Sequence, residues 1–488
     1  MLQYFSMENS YGVLFAEHIK TLTGKMAGVM SECGYDVYFA HSGTPVYYHA
    51  DDQEVPFHTV PHFRHWLPLA GPNHILVISP DKRPEIIRVT PEDFWYEQVK
   101  DDAPFWASEF NITDVASADD AWSILNERSI NKKVAFVGDR PACERAEANG
   151  ISKESCNPQI LVKKLDELRT VKSDYEVACI EEANRKASGG FIKAYDTFLA
   201  GGSELDIHHA FLVGSSQAEV DLPYPAITAL DEKSAVLHYQ NKRHHLALTA
   251  PSANGAQRGI GEWSGRPKGP RTFANAPLCE VDNGYVCLLD AGASVNGYAS
   301  DITRTWASPK CDGRFVAILE ALNTLQQELC AMVKPGVHTL ELHYEAHKGI
   351  ASILHDVGGI KIAGDEAIKA GLTSPFFPHG LGHFLGIQVH DVGGSNTTEY
   401  DNKLAELFPK LRTLRKLEVG NVITIEPGIY FIPMLLRKLK ESASSDMVNW
   451  DLVSSLTPLG GERIEDDILV TEKGQRNLTR HYFESLDR

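Results

Sequence analysis

The sequence lacks the features of a membrane or secreted protein. No stretch approaches the roughly 18 consecutive apolar residues that a membrane-spanning helix needs, so we expect no membrane partner. The first residues, MLQYFSMENSYG, contain no basic segment followed by an apolar run, which a secretory signal peptide would require. The 8 cysteines include no C-x-x-C pair, and in a chain of 488 residues they are typical of reduced thiols. We therefore expect a cytoplasmic protein.

Basic charge is also scarce. Lys and Arg number 47 against 65 Asp and Glu, a net charge of −18. Nucleic-acid binding depends on a clustered basic face, so we expect no nucleic-acid partner. The sequence contains no G-x-S-x-G nucleophile elbow and no phosphate-binding P-loop, which argues against the enzyme classes built on those motifs. With 43% hydrophobic and 23% charged residues, the composition is that of an ordinary globular protein.

The pattern of apolar residues predicts two domains. Helix and strand signals alternate over residues 1–165, which predicts a small N-terminal α/β domain. Its strands are expected at 37–39, 75–78, 86–89 and 134–137. A linker is expected at 166–174, where Ser173 and Glu176 have the capping-box spacing that starts a long helix. Residues 175–488 are expected to form a larger α+β domain, with short strands at 286–289, 422–425 and 468–470.

One segment of the larger domain differs from the rest in composition. The 27 residues from Pro251 to Pro277 contain five glycines and four prolines, which is more than a packed element tolerates. We therefore expect a Gly/Pro-rich insertion at about 245–280 that forms a loop.

Acidic residues recur at the ends of apolar strands in the larger domain. The segment LLDAG carries Asp290 to a turn, and Asp301 follows 11 residues later (301 − 290), so a hairpin could bring the two carboxylates together. The segments TIEPG and GERIED place Glu426 and Glu465 in similar positions. A buried carboxylate is costly unless it is paired or bound to a metal, so this repetition favours a functional site.

Histidines complete the set of metal-binding side chains. The segment FPHGLGHFLG contains His379 and His383, and His390 follows in HDVGG. Four carboxylates and one imidazole would neutralise two divalent cations, and oxygen-rich ligation with one histidine suits Mn²⁺, Co²⁺ or Zn²⁺. Two metals about 3.5–4 Å apart can share a water, lower its pKa and polarise a carbonyl. The set therefore predicts a hydrolase.

Each residue alone also has a plainer interpretation. An aspartate before glycine, such as Asp290, is most often a turn residue. His343 and His347 stand one helical turn apart, but the zinc-binding sequence H-E-x-x-H is absent. We therefore expect these two histidines on a solvated helix face.

Taken in order, the motifs resemble those of the pita-bread metallopeptidases, the family of methionine aminopeptidase, aminopeptidase P and prolidase. The segments FFPHGLGHFLGIQVHDVGG, TIEPGIYFI and GGERIEDDILV are most similar to prolidases, the Xaa-Pro dipeptidases, in the bacterial branch that includes organophosphorus acid anhydrolases. The resemblance covers nearly the whole chain, apart from the Gly/Pro-rich insertion. It implies a pita-bread catalytic domain behind a smaller N-terminal domain, through which the family dimerises, so a homodimer is expected.

The resemblance implies five metal ligands: Asp290, Asp301, His383, Glu426 and Glu465. Asp301 and Glu465 would bridge two divalent ions, with Mn²⁺ expected first and Co²⁺ or Zn²⁺ as alternatives. Glu426 would in addition transfer a proton from the bridging hydroxide or water to the leaving nitrogen.

Three further histidines match catalytic positions of prolidases. His238 corresponds to a histidine near the scissile carbonyl, suited to stabilising a tetrahedral intermediate. His379 and His390 correspond to two histidines that flank the substrate.

Four residues match substrate contacts. Arg412 and Arg463 correspond to arginines on the substrate side, where a guanidinium can bind the free carboxylate of a dipeptide. Tyr224 corresponds to an aromatic residue of the pocket, and Trp95 to one that reaches the neighbouring subunit's site. Arg463 could instead pair with a nearby acid (Glu462, Glu465 or Asp466). Arg412 could lie on a solvated face, and Trp95 could be ordinary packing.

These matches imply hydrolysis of Xaa-Pro dipeptides through a hydroxide that bridges two metals. Aminopeptidase P, which acts on longer peptides with proline second, is the alternative, and organophosphorus triesters or fluoridates are a conceivable side substrate. A metal-free binding module is less expected because all five ligand positions are present. His238 and Asp290 are 52 residues apart (290 − 238), about 30 more than this branch usually has, which leaves the substrate range open.

Overall fold

The computed structural model describes residues 2–94, 104–244, 285–393, 406, 408 and 410–483. Trp95 and the Gly/Pro-rich insertion fall outside these residues, so the expectations for them stay predictions. In the described part of the chain, none of the helices has the length and apolar character needed to cross a bilayer.

The N-terminal part of the chain builds one mixed sheet between two layers of helices. Its strands are β1 (Val37–His41), β2 (Ile75–Ile78), β3 (Glu85–Val89), β4 (Asn111–Val115) and β5 (Val134–Val137), in the order β4-β3-β2-β1-β5. Its helices are α1 (Leu2–Cys33), α2 (Pro61–Arg64), α3 (Ala118–Ser129), α4 (Arg140–Ala148) and α5 (Gln159–Thr170). The β1–β5 and β3–β4 pairs are parallel, and the other two pairs are antiparallel.

The two faces of this sheet explain its apolar strands. Tyr38 and Ala40 pack with α1 and α5, whereas Val37 and Phe39 pack with α3 and α4. Successive strand residues point to opposite faces, so a strand covered on both sides becomes a continuous apolar run. Such runs are recognisable in the sequence, and all four predicted strands are confirmed.

The junction between the two parts is short. Helix α5 ends at Thr170 and α6 (Asp174–Leu199) begins four residues later, so the expected linker at 166–174 contains the last turn of α5. The predicted capping box is present, since the backbone N–H of Ser173 donates to Glu176 Oε2 at 2.8 Å and the N–H of Glu176 donates to Ser173 Oγ at 3.4 Å.

The C-terminal part combines small antiparallel sheets with outer helices. After α6 come α7 (Glu204–Ser215), α8 (Gly313–Met332), α9 (Thr339–Asp356), α10 (Gly364–Lys369), α11 (Pro433–Lys440) and α12 (Trp450–Leu456). The strands are β6 (Ile227–Leu230), β7 (Val286–Ala291), β8 (Ser294–Val295), β9 (Tyr298–Ala299), β10 (Ile302–Ala307), β11 (Val422–Ile425), β12 (Gly428–Tyr430), β13 (Gly461–Arg463), β14 (Asp466–Thr471) and β15 (Gly474–Asn477).

Two three-stranded sheets carry the acidic motifs. One has the order β10-β7-β6 and packs on α6 and α7, and the other has the order β11-β14-β15 and lies against α8 and α9. An isolated bridge between Thr303 and Glu465 connects the two. Their outer faces are thus covered by helices, and the acidic residues meet where the sheets approach each other.

Candidate metal centre

A hairpin brings the first two carboxylates together, as their spacing predicts. Strands β7 and β10 pair antiparallel with Asp290 opposite Thr303, and the two short strands β8 and β9 form the connection. The hydroxyl of Tyr224 lies 2.8 Å from Asp290 Oδ1 and 2.5 Å from Asp301 Oδ1. Both carboxylates therefore face the same point.

The second sheet supplies the other ligand candidates. Glu426 follows the end of β11, and Glu465 lies between β13 and β14, where Thr303 Oγ1 donates to its Oε2 at 2.6 Å. His383 enters from the neighbouring loop because Gly382 packs on β11, where a Cβ would lie 1.9 Å from the Thr424 carbonyl oxygen. One ligand atom each of Asp301, His383 and Glu465 lies within 4.8 Å of the others.

The orientation of His383 suits metal binding. Its Nδ1 lies 3.0 Å from the Phe384 carbonyl oxygen, so that nitrogen can donate its proton and leave Nε2 as the ligand atom. Nε2 is 3.3 Å from Asp301 Oδ2 and 3.7 Å from Glu426 Oε1. Burial lowers the pKa of His383, but its hydrogen bond to Asp301 and the charge of Glu426 outweigh this and raise the pKa to about 9. A cation is therefore favoured at this position.

The carboxylates are crowded and short of positive charge. Burial raises the pKa of Glu465 well above its ordinary value, and the charges of Asp301 and Glu426 raise it further. Burial also raises the pKa of Glu426 to about 7, although His383 and Arg463 oppose this. Buried oxygen ligands that repel one another are stabilised by divalent cations, so the five residues together fit such ions.

Arg463 lines the cavity with the ligand candidates, and its guanidinium is already bonded within the protein. Its guanidinium pairs with Asp290, donates to Tyr430 Oη at 2.7 Å and to Thr303 Oγ1 at 3.0 Å, and is buried. The alternative, a pair between Arg463 and one of the adjacent acids Glu462, Glu465 or Asp466, is not observed. The side chain instead extends from β13 toward the β7–β10 hairpin, where it meets Asp290. All three nitrogens have protein partners, so Arg463 supports Asp290 at the edge of the cavity, and its expected role in substrate binding stays a prediction.

The remaining predicted residues surround one cavity of about 750 Å³. Its lining includes the five ligand candidates together with Tyr224, His238, His379, His390, Arg412 and Arg463. His379 Nε2 lies 2.9 Å from Tyr430 Oη, and the ring of His390 lies 4.4 Å from that of His383. Arg412 and His238 are exposed at the cavity, where a ligand can reach them.

Sequence reasoning missed Tyr430 and Thr303, which hold Arg463, His379 and Glu465. Neither has a distinguishing local pattern, since a tyrosine or threonine in a strand is common. The expectation for His343 and His347 was wrong. Both are buried on α9 against the rings of Phe377 and Phe408, so they belong to the core.

Comparisons with known proteins agree with this geometry. Residues 178–472 match the model of metallopeptidase family M24, and residues 13–166 match the N-terminal domain of Xaa-Pro dipeptidases. The chain is 37% identical over 472 residues to the Xaa-Pro dipeptidase of Pseudoalteromonas translucida, covering 96% of this chain and 98% of the relative. It is 36% identical to the Xaa-Pro dipeptidase of Proteus mirabilis, with coverages of 96% and 98%.

Solved structures share the fold. Proline aminopeptidase P II from Yersinia pestis superposes with a TM-score of 0.67 at 20% identity, covering 96% of each chain. Zinc-substituted aminopeptidase P of Escherichia coli, in complex with product, superposes with a TM-score of 0.65 at 20% identity, covering 96% of this chain and 95% of the other.

The fold and the acidic centre define a metal-dependent hydrolase of pita-bread architecture, and the predicted α+β fold class is confirmed. More specifically, the chain belongs to metallopeptidase family M24 and resembles its prolidases over nearly its full length.

Proposed function

We propose that the protein hydrolyses Xaa-Pro dipeptides with two divalent metal ions held by Asp290, Asp301, His383, Glu426 and Glu465. The observation that carries this proposal is the buried convergence of Asp301, His383 and Glu465 on a cavity that also exposes Arg412. When bound, the metals would supply Lewis-acid polarisation of the scissile carbonyl and acidify a shared water. Relatives over the full chain length are Xaa-Pro dipeptidases, which supports the substrate class.

Glu426 is proposed as the proton-transfer group. A general acid–base works best when its pKa is near the operating pH, and burial raises the pKa of Glu426 to about 7. Its Oε2 lies 3.7 Å from His379 Nδ1 on the cavity side, so a proton on Glu426 can be passed toward a leaving nitrogen there.

Two histidines of the cavity, His238 and His390, are proposed to stabilise the charge that develops on the carbonyl oxygen. His238, His379 and His390 line the same cavity as the ligand candidates. Burial lowers the pKa of His379 to about 3 and that of His390 to about 4, so both rings are neutral at neutral pH. A neutral imidazole such as that of His390 can donate one hydrogen bond to a developing oxyanion without adding charge to the ground state, whereas the Nδ1 proton of His379 is already donated to the Gly380 carbonyl oxygen at 2.7 Å.

Arg412 is proposed to bind the carboxylate of the C-terminal proline. It lines the cavity and is exposed, whereas the guanidinium of Arg463 is already bonded to Asp290, Tyr430 and Thr303. A charge-assisted bond of this kind contributes roughly 1.5–3 kcal/mol. Aminopeptidase P activity is the alternative. A longer peptide has an amide where a dipeptide has its carboxylate, so this contact with Arg412 distinguishes the two activities.

Four further properties are proposed: the metal, the compartment, the oligomeric state and a side activity. Mn²⁺ is the metal we propose first, because oxygen-rich ligation with one histidine suits it. We propose a cytoplasmic homodimer joined through the N-terminal domain. We also propose slow hydrolysis of organophosphorus triesters, since a tetrahedral phosphoryl centre is similar to the transition state of peptide hydrolysis.

The test compares Ala-Pro, Ala-Pro-Ala and a neutral phosphotriester with the Mn²⁺-loaded enzyme. We expect at least about a 10-fold higher kcat/KM for Ala-Pro than for Ala-Pro-Ala, since 1.4 kcal/mol corresponds to one decade. Arg412→Met should remove most of this preference and leave phosphotriester turnover unchanged. Equal rates on the two peptides in the unaltered enzyme would favour aminopeptidase P activity instead.

A further inference from the structure

A buried ion cluster connects the domain junction to the loop between His383 and His390. It consists of Arg169, Lys172 and Asp391, which we call the junction cluster. Arg169 pairs with Asp391 Oδ1, and Lys172 Nζ lies 3.1 Å from Asp391 Oδ2. The three side chains are 2%, 1% and 1% exposed. Arg169 also donates to Gln388 Oε1 at 2.8 Å, so it binds the loop at two points.

Asp391 determines the shape of this loop. Its backbone N–H donates to the Phe384 carbonyl oxygen at 2.8 Å, which closes the loop at its base. The same carbonyl oxygen accepts the hydrogen bond from His383 Nδ1 that fixes the ring. His390 immediately precedes Asp391, and its ring stands edge-on against that of His383. A displacement of Asp391 would therefore move both histidines.

The packing leaves little room for such a displacement. A Cβ added to Gly386 would lie 2.2 Å from Asp391 Oδ2 and 2.8 Å from Lys172 Cε, so only glycine fits there. The Gly386 carbonyl oxygen accepts a bond from the Ala299 N–H at 2.9 Å, which ties the loop to β9 of the ligand hairpin.

Stability alone is a weak reason for these buried charges. Taking ions out of water is costly, and an apolar replacement is often equally stable. Directional bonds from two cations can nevertheless hold one carboxylate, and hence the chain around it, in one position. Arg169 and Lys172 lie between the two matched family segments, which cover residues 13–166 and 178–472.

We propose that Arg169 and Lys172 are positioning residues for the metal centre. Acting through Asp391, they hold the Phe384 carbonyl oxygen and the loop so that His383 Nε2 faces Asp301 and Glu426, and His390 faces the cavity. The junction between the two domains thereby contributes to metal affinity without touching metal or substrate. This inference rests on the proposed ligand role of His383.

The test uses Arg169→Met, with Arg128→Met as the matched control. Arg128 on α3 also forms a two-nitrogen pair with a carboxylate, that of Glu85 on β3, but inside the N-terminal domain and away from the junction. Direct Mn²⁺ titration of the metal-free proteins gives the affinity, and kcat and KM for Ala-Pro are measured separately. Loss of a group behind a metal-ligating histidine typically costs 10–100-fold in affinity or activity. We expect Arg169→Met to weaken Mn²⁺ binding by about 10-fold and to lower kcat more than it raises KM, and Arg128→Met to change neither.

A double-mutant cycle separates positioning from general destabilisation. Asp391→Asn should weaken Mn²⁺ binding as well, and the combined variant should lose less affinity than the sum of the single losses, because both changes break the same link. Arg128→Met and Asp391→Asn should be additive. If Arg169→Met does not fold, Lys172→Gln takes its place in the same Mn²⁺ titration. This variant keeps the pair between Arg169 and Asp391 and still tests whether the junction cluster affects metal affinity.

Normal Mn²⁺ affinity and kcat in a folded Arg169→Met or Lys172→Gln variant would overturn the inference. If the proposed function were wrong, the measurements would give a different result. The unaltered protein would then bind Mn²⁺ but not hydrolyse Ala-Pro, and the Mn²⁺ affinities of the variants would still test the junction cluster.

Discussion

The two domains differ in the ionisable groups that they bury. From Tyr11 to Leu168, in the described part of the chain, the buried acidic, basic and histidine side chains are all histidines: His18, His41, His65 and His74. The C-terminal domain buries histidines and arginines as well, but it adds a group of buried carboxylates: Glu176, Glu204, Asp290, Asp301, Asp391, Glu462, Glu465, Asp466 and Asp467. One domain therefore has a core that can become neutral by losing protons, and the other has a core that requires cations.

This difference determines whether the buried groups of each domain need counterions. Burial lowers the pKa of His41 and of His74 to about 4, so these rings are uncharged at neutral pH and require no counterion. Among the carboxylates, Asp466 is paired with Arg304 and Arg480, which hold its pKa at about 2 against the effect of burial. The ligand candidates have no comparable excess of protein cations. The proposed metals therefore complete the C-terminal core as well as the chemistry.

Removing one ligand should produce the largest effect. Asp301 lies between Tyr224 and His383 and is proposed to bind both metals. Asp301→Asn should lower kcat/KM for Ala-Pro by about 1000-fold, because losing metal charge stabilisation costs several kcal/mol of transition-state energy. The melting temperature of the metal-free protein should change little, since the substitution preserves size and reduces repulsion. Asp114→Asn, on β4, should keep full activity. Normal turnover and metal content in Asp301→Asn would contradict the ligand assignment.

An acid shift should affect the N-terminal sheet and the metal-free carboxylate centre with opposite sign, whereas His343 and His347 on α9 should respond as the histidines of the N-terminal sheet do. The ordinary pKa of histidine is 6.5, so the unfolded chain binds protons at His41 and His74 at a higher pH than the folded domain does. Their contribution to stability is full above pH 6.5 and is lost as the pH falls toward 4. Each histidine accounts for up to about 3 kcal/mol over that interval.

Glu426 should respond in the opposite direction in the metal-free protein. Its folded pKa is about 7 and its ordinary value is 4.5, so its unfavourable contribution is full at high pH and is relieved as the pH falls from 7 to 4.5. Hydrogen exchange corrected for intrinsic rates should then show weaker protection of β1 and β2 at pH 5 than at pH 7, and stronger protection of β11. If the protection of β1 and of β11 changed in the same direction, the contrast between the buried histidines and the buried carboxylates would be wrong.

The smallest effect concerns the junction between the domains. Ser173 caps α6 and also lies 2.8 Å from His18 Nδ1 on α1, whereas Ser203 caps α7 by the same box with Asp206. Losing a cap typically costs about 1 kcal/mol. Ser203→Ala should therefore lower the free energy of unfolding by about 1 kcal/mol, and Ser173→Ala by about 1 kcal/mol more, because it also loses the contact between domains. Urea denaturation measures both, and equal losses would exclude a contribution from His18.

Seven of the 15 strands in the described part of the chain were predicted, and these are mostly continuous apolar runs. The bounds of β2, β5 and β11 agree with the sequence prediction. Eight strands were missed, among them β4, since its sequence NITDV is only partly buried and contains polar residues that are also common in loops.

The site could be predicted only where the information is local or carried by the resemblance. The ligand motifs are short segments, and the structure brings them together. The pairing of Arg463 with Asp290 could not be predicted because the two residues lie 173 positions apart in the sequence, so no local pattern indicates the pair. His343 and His347 were misjudged for a similar reason, since the rings that bury them come from other parts of the chain.

The central claim is that two metal ions complete a core that the protein's own cations leave unbalanced. Equilibrium dialysis of the metal-free chain against Mn²⁺, with Ala-Pro hydrolysis measured at each occupancy, tests it most directly. We expect two Mn²⁺ per chain, no turnover without metal, and neither tight binding nor turnover in Asp301→Asn. Hydrolysis by the metal-free protein, or tight Mn²⁺ binding that Asp301→Asn leaves unchanged, would contradict the account.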